Sequence, residues 1–343
     1  MAENSAIEWC DHTFNPWEGC QKVGPGCDNC YAEARNARFG GGQAVNWGPG
    51  APRRRTSAAN WRKPLQWQRD AARFQEVHGR RQRVFCASLA DVFDNAADTT
   101  WRDDLWRLIE ATPDIDWLLL TKRVANVQHQ VWPRWMQQGF PPNVWLGITV
   151  VDQPEADRDI IRALRLKKAA KIARLFLSIE PMLGPLQLWR LNAADFQEDP
   201  IGAEVYPLRG LYAVPDCDWS GPKVDWVICG GESGPGARPM HPDWVRSLRD
   251  QCAAAGVPFL FKQWGEWTEQ DDSGLPGVRQ VLEGDPEFDS EADKCDAFMA
   301  LDGELVANID DGREDVPYRG LIRLGKKRAG RELDGRTHDG FPA

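Results

Sequence analysis

The chain has 343 residues, 42% hydrophobic and 27% charged, with 42 Lys and Arg against 51 Asp and Glu for a formal net charge of −9. Such a composition suits a globular protein of about two domains, or one α/β barrel with insertions. It contains no run of about 18 apolar residues that could cross a bilayer, and its acidity argues against a protein that merely coats nucleic acid.

The N-terminal MAENSAIEWC lacks a basic-then-apolar leader, so a reducing, cytoplasmic setting is expected for the nine cysteines, without a disulfide framework. Residues 7–14 (IEWCDHTF) read as a first strand. The following loop, FNPWEGCQKVGPGCDNC, carries Cys20, Cys27 and Cys30 in the spacing C-x6-C-x2-C, and YAEARNARF then opens a helix. Cys86, Cys217, Cys229, Cys252 and Cys295 are scattered singly. Residues 40–60 have no periodicity and read as a loop. Arg53, Arg54 and Arg55 lie in it, and with Arg62, Lys63, Arg80, Arg81 and Arg83 they form the clearest basic concentration. Trp47, Trp61 and Trp67 are interleaved with these cations. They are candidates to stack nucleobases, or else to pack in the core.

A regular alternation follows. Strands are expected at 83–93, 116–123, 143–152, 173–181, 225–234 and 257–265, as near-continuous apolar runs of the kind buried on both faces. Helices are expected at 99–112, 124–139 (kinked or divided by Pro133), 153–169 and 242–256. About seven strands alternating with helices predict a parallel sheet, as a partial or complete (β/α) barrel. An open doubly wound sheet is the alternative. Residues 182–224 read as an insertion in a barrel spanning 1–265. Residues 266–343 read as a turn-rich, largely acidic extension with short antiparallel strands such as FMALDGEL. No internal repeat is visible.

Polar residues recur where these strands end. In a parallel barrel those ends share one ligand-binding face. Ser88, Asp91, Ser178, Glu180, Gly230, Gly231 and Glu232 are therefore the candidate cofactor-binding residues. Gly230, Gly231 and Gly234 can bring backbone N–H groups to a carboxylate or phosphate, or simply make a tight turn. Lys122, Arg123 and Lys262 are candidate substrate-binding cations, together with Arg53, Arg54 and Arg55. Alternatively the strand-end cations pair with neighbouring carboxylates. There is no H-x3-H, H-E-x2-H, G-x-S-x-G or P-loop pattern.

Three thiolates on a Gly/Pro-rich loop can hold a [4Fe–4S] cluster and leave one iron open to an exogenous ligand. A structural zinc site would instead use four ligands, Cys10, Cys20, Cys27 and Cys30. The segments FNPWEGCQKVGPGCDNCYAE, VFCASLADVFD, WLLLTKR, WLGITVVD, FLSIEPMLGPL, VICGGESGPGARPM, PFLFKQWGEW and GKKRAGRELDG resemble the phage and prophage three-cysteine-motif family (phage gene products thirty-seven and sixty-eight). That family in turn resembles radical S-adenosylmethionine enzymes of the spore photoproduct lyase-like branch. The resemblance implies a partial barrel with Cys20, Cys27 and Cys30 on the cluster, S-adenosylmethionine on its open iron, and reductive cleavage to a 5′-deoxyadenosyl radical. It also implies an electron donor and a nucleobase, nucleotide or nucleic-acid substrate for modification or repair. Two departures stand out. Six residues rather than three separate the first two cysteines, and Gly230-Gly231-Glu232 follows a late strand rather than the second. The other functional reading is a non-catalytic, zinc-binding, nucleic-acid-associated phage-type protein using all four clustered cysteines.

Overall fold

The computed structural model describes residues 5–192, 204–214, 217–270 and 295–342. Seven strands form one sheet: β1 (His12–Thr13), β2 (Gln82–Cys86), β3 (Ile115–Thr121), β4 (Val144–Thr149), β5 (Arg174–Ile179), β6 (Trp226–Gly230) and β7 (Phe259–Gln263). Their spatial order is their chain order, and every neighbouring pair is parallel. A doubly wound sheet reverses its order at a switch point, and this one never does. β1 and β7 remain edges, so the sheet is an open half-barrel rather than a complete one.

The helices up to the end of the half-barrel are α1 (Tyr31–Phe39), α2 (Ala58–Arg69), α3 (Ala71–His78), α4 (Thr99–Glu110), α5 (Val124–Gln130), α6 (Pro133–Gln138), α7 (Gln153–Ala169) and α8 (Pro242–Ala255), and one more turn of helix follows at Lys326–Ala329. Asp98 caps α4 by accepting from Thr100 N at 2.8 Å, and Asp152 caps α7 through Glu155 N at 2.9 Å. Each cap satisfies an amide that has no partner within its helix. Pro133 divides the expected 124–139 helix by starting α6 at its first turn, where its missing N–H costs nothing. Helices α2 and α3 are not visible as an apolar periodicity. Pro64 lies inside α2, and its buried face is only Asn60, Pro64 and Trp67.

Strand alternation sorts the core into two layers. Val84, Cys86, Trp117, Leu119, Leu146, Ile148, Leu175, Leu177, Val227, Cys229 and Phe261 belong to the large cluster shared with the helices. Phe85, Leu118, Trp145, Phe176, Trp226, Ile228 and Leu260 form a second cluster with Trp9 and Cys10 on the other face, inside the half-barrel. Ring centroids there are 4.5 Å apart for Trp9–Phe85, 5.7 Å for Phe176–Trp226 and 6.2 Å for Trp145–Trp226. Each such side chain contributes about 1.5–3 kcal/mol on burial.

The segments outside the sheet also have defined places. The 182–224 insertion holds a four-stranded antiparallel sheet of Leu191–Asn192, Glu204–Tyr206, Leu211–Val214 and Cys217–Ser220. The extension after 265 contributes another, from Trp267–Glu269, Ala297–Ala300, Leu305–Val306 and Tyr318–Arg323. Its tail then returns to the half-barrel. Phe261 N donates to His338 O at 3.0 Å, Gly340 N to Phe259 O at 2.9 Å, and Trp226 Nε1 to Gly340 O at 2.7 Å. Phe341 packs tilted against Trp226, with ring centroids 5.1 Å apart, beneath Arg83. No helix among the described residues is long and apolar enough to cross a membrane.

Gly147 gives the inner cluster room, because a Cβ there would run into the Phe176 ring. Gly147→Ala is expected to destabilise the fold by about 1–3 kcal/mol, the usual cost of overpacking, with partial recovery in Gly147→Ala/Phe176→Leu. Urea unfolding checks this, and an unchanged midpoint in the single variant would contradict the packing described.

Candidate functional site

The loop between β1 and α1 is fixed before its cysteines begin. Trp17–Glu18 pairs antiparallel with Arg54–Arg55, Gly19 forms a bridge with Ala90, and Cys20 forms one with Trp47. Gly19 has φ +110°, and a Cβ there would strike the Asn46 carbonyl. Only glycine fits such a position without strain. Cys27 ends a 3₁₀ turn, Pro25–Cys27, and Cys30 is the residue before α1.

All three cysteines line one cavity of ≈ 570 Å³. Its other wall is made by the strand ends: Ser88, Asp91, Thr121, Lys122, Arg123, Thr149, Ser178, Glu180, Gly231, Glu232, Ser233, Lys262 and Gln263. The floor is apolar, with Ile7, Trp9, Phe85 and Leu120. Thus the half-barrel brings together the three metal-ligand candidates, Lys122, Arg123, Lys262 and every proposed cofactor-binding residue except Gly230.

Most charges in this cavity are already paired. Arg123 Nη1 lies 2.8 Å from Asp91 Oδ2, and both side chains are only 8% exposed. Asp91 also accepts from Thr121 Oγ1 at 2.8 Å, Lys122 N at 3.0 Å and Phe93 N at 2.9 Å. Lys262 Nζ sits 2.6 and 2.9 Å from the two Glu180 oxygens, and Gln263 Nε2 adds a third bond at 3.1 Å. Arg123 and Lys262 therefore pair with strand-end carboxylates instead of presenting free cations. Lys122 Nζ forms no hydrogen bond or ion pair with any described residue.

A third ion pair reaches across the cavity mouth. Glu232 receives Arg238 Nε at 2.8 Å, Arg238 Nη2 at 2.7 Å, the Arg238 backbone N–H at 2.8 Å and Asn29 Nδ2 at 2.9 Å. Arg238 also donates to Asp28 at 3.1 Å and to the Pro25 carbonyl at 2.9 Å, while Asn29 donates to Gly236 O at 2.6 Å. The loop after β6 is thereby stapled to the turn that carries Cys27. Burial alone would raise the Glu232 carboxyl, but the bonds from Arg238 and Asn29 hold it below its ordinary 4.5.

The glycines of this loop do not form an anion cradle. Gly231 N donates to Gln263 O at 2.9 Å and Gly234 N to Glu266 Oε1 at 2.9 Å, so both amides are occupied. A Cβ at Gly231 would overlap the Trp264 carbonyl. Close approach of the two backbones explains this glycine, and Gly230 is not on the cavity wall.

The basic loop is likewise dispersed. Arg53 is buried against Asp94 at 2.7 Å, Arg54 pairs with Glu18, and Arg55 pairs with Asp104 at 2.7 Å while lying over the Trp61 ring. None of the three lines the cavity. Of the interleaved tryptophans only Trp47 does. Trp67 is buried and stacks on His12 at 4.2 Å, and Trp61 packs edge-on to Phe14. Adjacent positions in a strand point to opposite faces, and a run of arginines does not make one surface.

Cys10 belongs to the inner aromatic cluster and is not on the cavity wall. Burial pushes its thiol up to about 12. Among the described residues, no group of three or more His, Cys, Asp or Glu side chains is arranged to hold a metal ion. Burial, and then the Asp91 charge, push Cys20 up to about 11 against the Arg123 cation, and burial raises Cys30. Cys20, Cys27 and Cys30 are thus three soft donors on one cavity wall, with Cys10 set apart from them.

Tyr31, Asn29, Gln263 and Arg238 are site residues that sequence reasoning missed. Tyr31 follows the third cysteine directly and donates to the Ser88 carbonyl. Ser88 Oγ accepts from Asn15 Nδ2 at 3.0 Å. Tyr31 opens onto the cavity and is 58% exposed.

Residues 4–342 match the model of a family described as a protein of unknown function, DUF5131. The chain belongs to that family. No curated protein and no solved structure matches it.

Arg238→Ala leaves Glu232 buried with half its donors gone, at an expected cost of about 1–3 kcal/mol, with faster proteolysis in the 20–30 loop. A lowered folded pKa means that the Glu232 contribution is full above pH 4.5 and is lost as pH falls below it. The stability gap between wild type and Arg238→Ala should accordingly narrow below that pH. A gap that stays constant to pH 3 would show that the staple is not electrostatic.

Proposed function

We propose that this protein is an iron–sulfur enzyme of the radical S-adenosylmethionine type, acting on a nucleobase, nucleotide or nucleic acid. One observation carries the reading. Cys20, Cys27 and Cys30 share a cavity wall with the polar C-terminal ends of a half-barrel, while Cys10 is packed elsewhere. The open sheet in strict chain order agrees with the partial barrel that the resemblance implies.

Once bound, a [4Fe–4S] cluster would supply an electron and an open iron site for S-adenosylmethionine. This chain's own residues do the binding and orienting. Lys122, whose ammonium group has no ion pair among the described residues, offers it to a carboxylate or phosphate. The Lys262–Glu180 pair presents a fixed donor and acceptor to hydroxyl or amino groups. Trp9, Trp47, Phe85 and Leu120 give flat apolar walls against which a base or adenine ring can lie. Tyr31 places a phenol beside Ser88, and the staple across residues 25–29 and 232–238 holds the cysteine turn against the cavity. An external electron donor completes the scheme.

Anaerobic purification followed by iron and sulfide analysis tests the class. About four irons per chain and a broad absorbance near 400 nm are expected. Cys20→Ser, Cys27→Ser and Cys30→Ser should each abolish both, whereas Cys10→Ser should leave them intact. With dithionite and S-adenosylmethionine, the loaded protein should release 5′-deoxyadenosine. A colourless protein with one zinc that is lost in Cys10→Ser would overturn the proposal in favour of the four-cysteine site.

A further inference from the structure

Arg123 stands between the first cysteine and a saturated carboxylate. It follows β3, and its guanidinium faces three ways. Nη1 lies 2.8 Å from Asp91 Oδ2 and 3.5 Å from Cys20 Sγ, and Nη2 donates to the Gln21 carbonyl at 2.8 Å. Asp91 cannot swing to follow it, because Thr121, Lys122 N and Phe93 N hold the carboxylate in place. The fork is thus set from behind and aimed at the sulfur.

Stability does not account for this arrangement. A buried ion pair returns little net free energy once both charges are desolvated, and an apolar pair would fill the same space. An N–H and a positive charge at a thiolate have a further effect. Hydrogen bonds to the ligating sulfurs and local charge are the main ways in which a protein sets the potential of an iron–sulfur centre.

We propose that Arg123 is a positioning residue for the centre held by Cys20, Cys27 and Cys30, fixing Cys20 at the cavity wall and raising the centre's reduction potential, with Asp91 as the counterweight. The inference rests on the iron–sulfur reading above. Its sign follows from electrostatics: a nearby cation favours the more negative, reduced centre, and a nearby anion disfavours it. Lysine can supply the charge but not the fork that reaches Cys20, Gln21 and Asp91 together.

The test compares wild type, Arg123→Lys, Arg123→Gln and Asp91→Asn as full-length, anaerobically reconstituted protein. Iron and sulfide content, the electron paramagnetic resonance spectrum of the reduced state and the midpoint potential are read for each. Arg123→Gln should shift the potential to more negative values and Asp91→Asn to more positive ones, with Arg123→Lys lying between wild type and Arg123→Gln. If Arg123→Gln does not load iron, the direction of the shift in Asp91→Asn decides. A merely structural role cannot give opposite signs in the two halves of one ion pair. Unchanged potentials at full iron content, shifts of one sign, or equal loss of iron in all three variants would overturn the role of Arg123 alone. A wild-type chain that binds no iron would instead overturn the underlying reading.

Discussion

The site depends on how the half-barrel fills its own interior. Inward positions along the strands carry Phe85, Trp145, Phe176 and Trp226, joined by Trp9 from the N-terminal segment and Phe341 from the tail. Inward positions near the strand ends carry Lys122, Thr149, Ser178, Glu180 and Lys262. Beyond these rings, the smaller or polar groups at the strand ends leave the cavity that the cysteine loop lines. Because all seven strands are parallel, that end is where every strand-to-helix loop emerges, and the cysteine loop is the first of them. Packing of the rings therefore decides where chemistry can occur.

A cavity so lined with charge has to be neutralised locally, since an isolated buried ion is costly. Most charges on its wall have a partner: Arg123 with Asp91, Lys262 with Glu180, and Glu232 with Arg238 of the same loop. These pairs tie sequentially distant loops to one another. Asp91 and Arg123 join the loops after β2 and β3 to Cys20. Glu232 and Arg238 join the loop after β6 to residues 25–29. Both ends of the cysteine loop are thus gripped from opposite sides of the sheet, which holds the three thiols in place although the barrel itself is open.

The sequence revealed periodicity and topology well, and pairing badly. Strands such as DWLLLTKR and NVWLGITVVD were legible because burial on both faces makes them continuous apolar runs. The shared face of their polar ends then followed from parallel topology alone. Partners were not legible. Nothing local in the sequence says that Arg123 meets Asp91 instead of a substrate, or that Arg238 reaches both Glu232 and Pro25. The arginines at 53–55 misled for the same reason: adjacency along the chain suggested one basic surface, while the extended backbone sends Arg53 into a buried pair with Asp94 and leaves Arg54 outside. The glycines of GGESG were legible as a tight place, but whether an anion or another backbone occupied it needed the Gly231–Gln263 and Gly231–Trp264 contacts. Helices α2 and α3 were hidden because their buried faces are too sparse to show a helical period.

The central proposal is that three cysteines of the first loop, and not four, hold a multi-iron centre in this cavity. X-ray absorption at the iron and zinc edges of the anaerobically purified chain tests it most directly. The account predicts iron with a sulfur shell and a short iron–iron shell, retained in Cys10→Ser and lost in Cys27→Ser. Zinc surrounded by four sulfurs with no metal–metal shell, or a signal that disappears with Cys10, would contradict it.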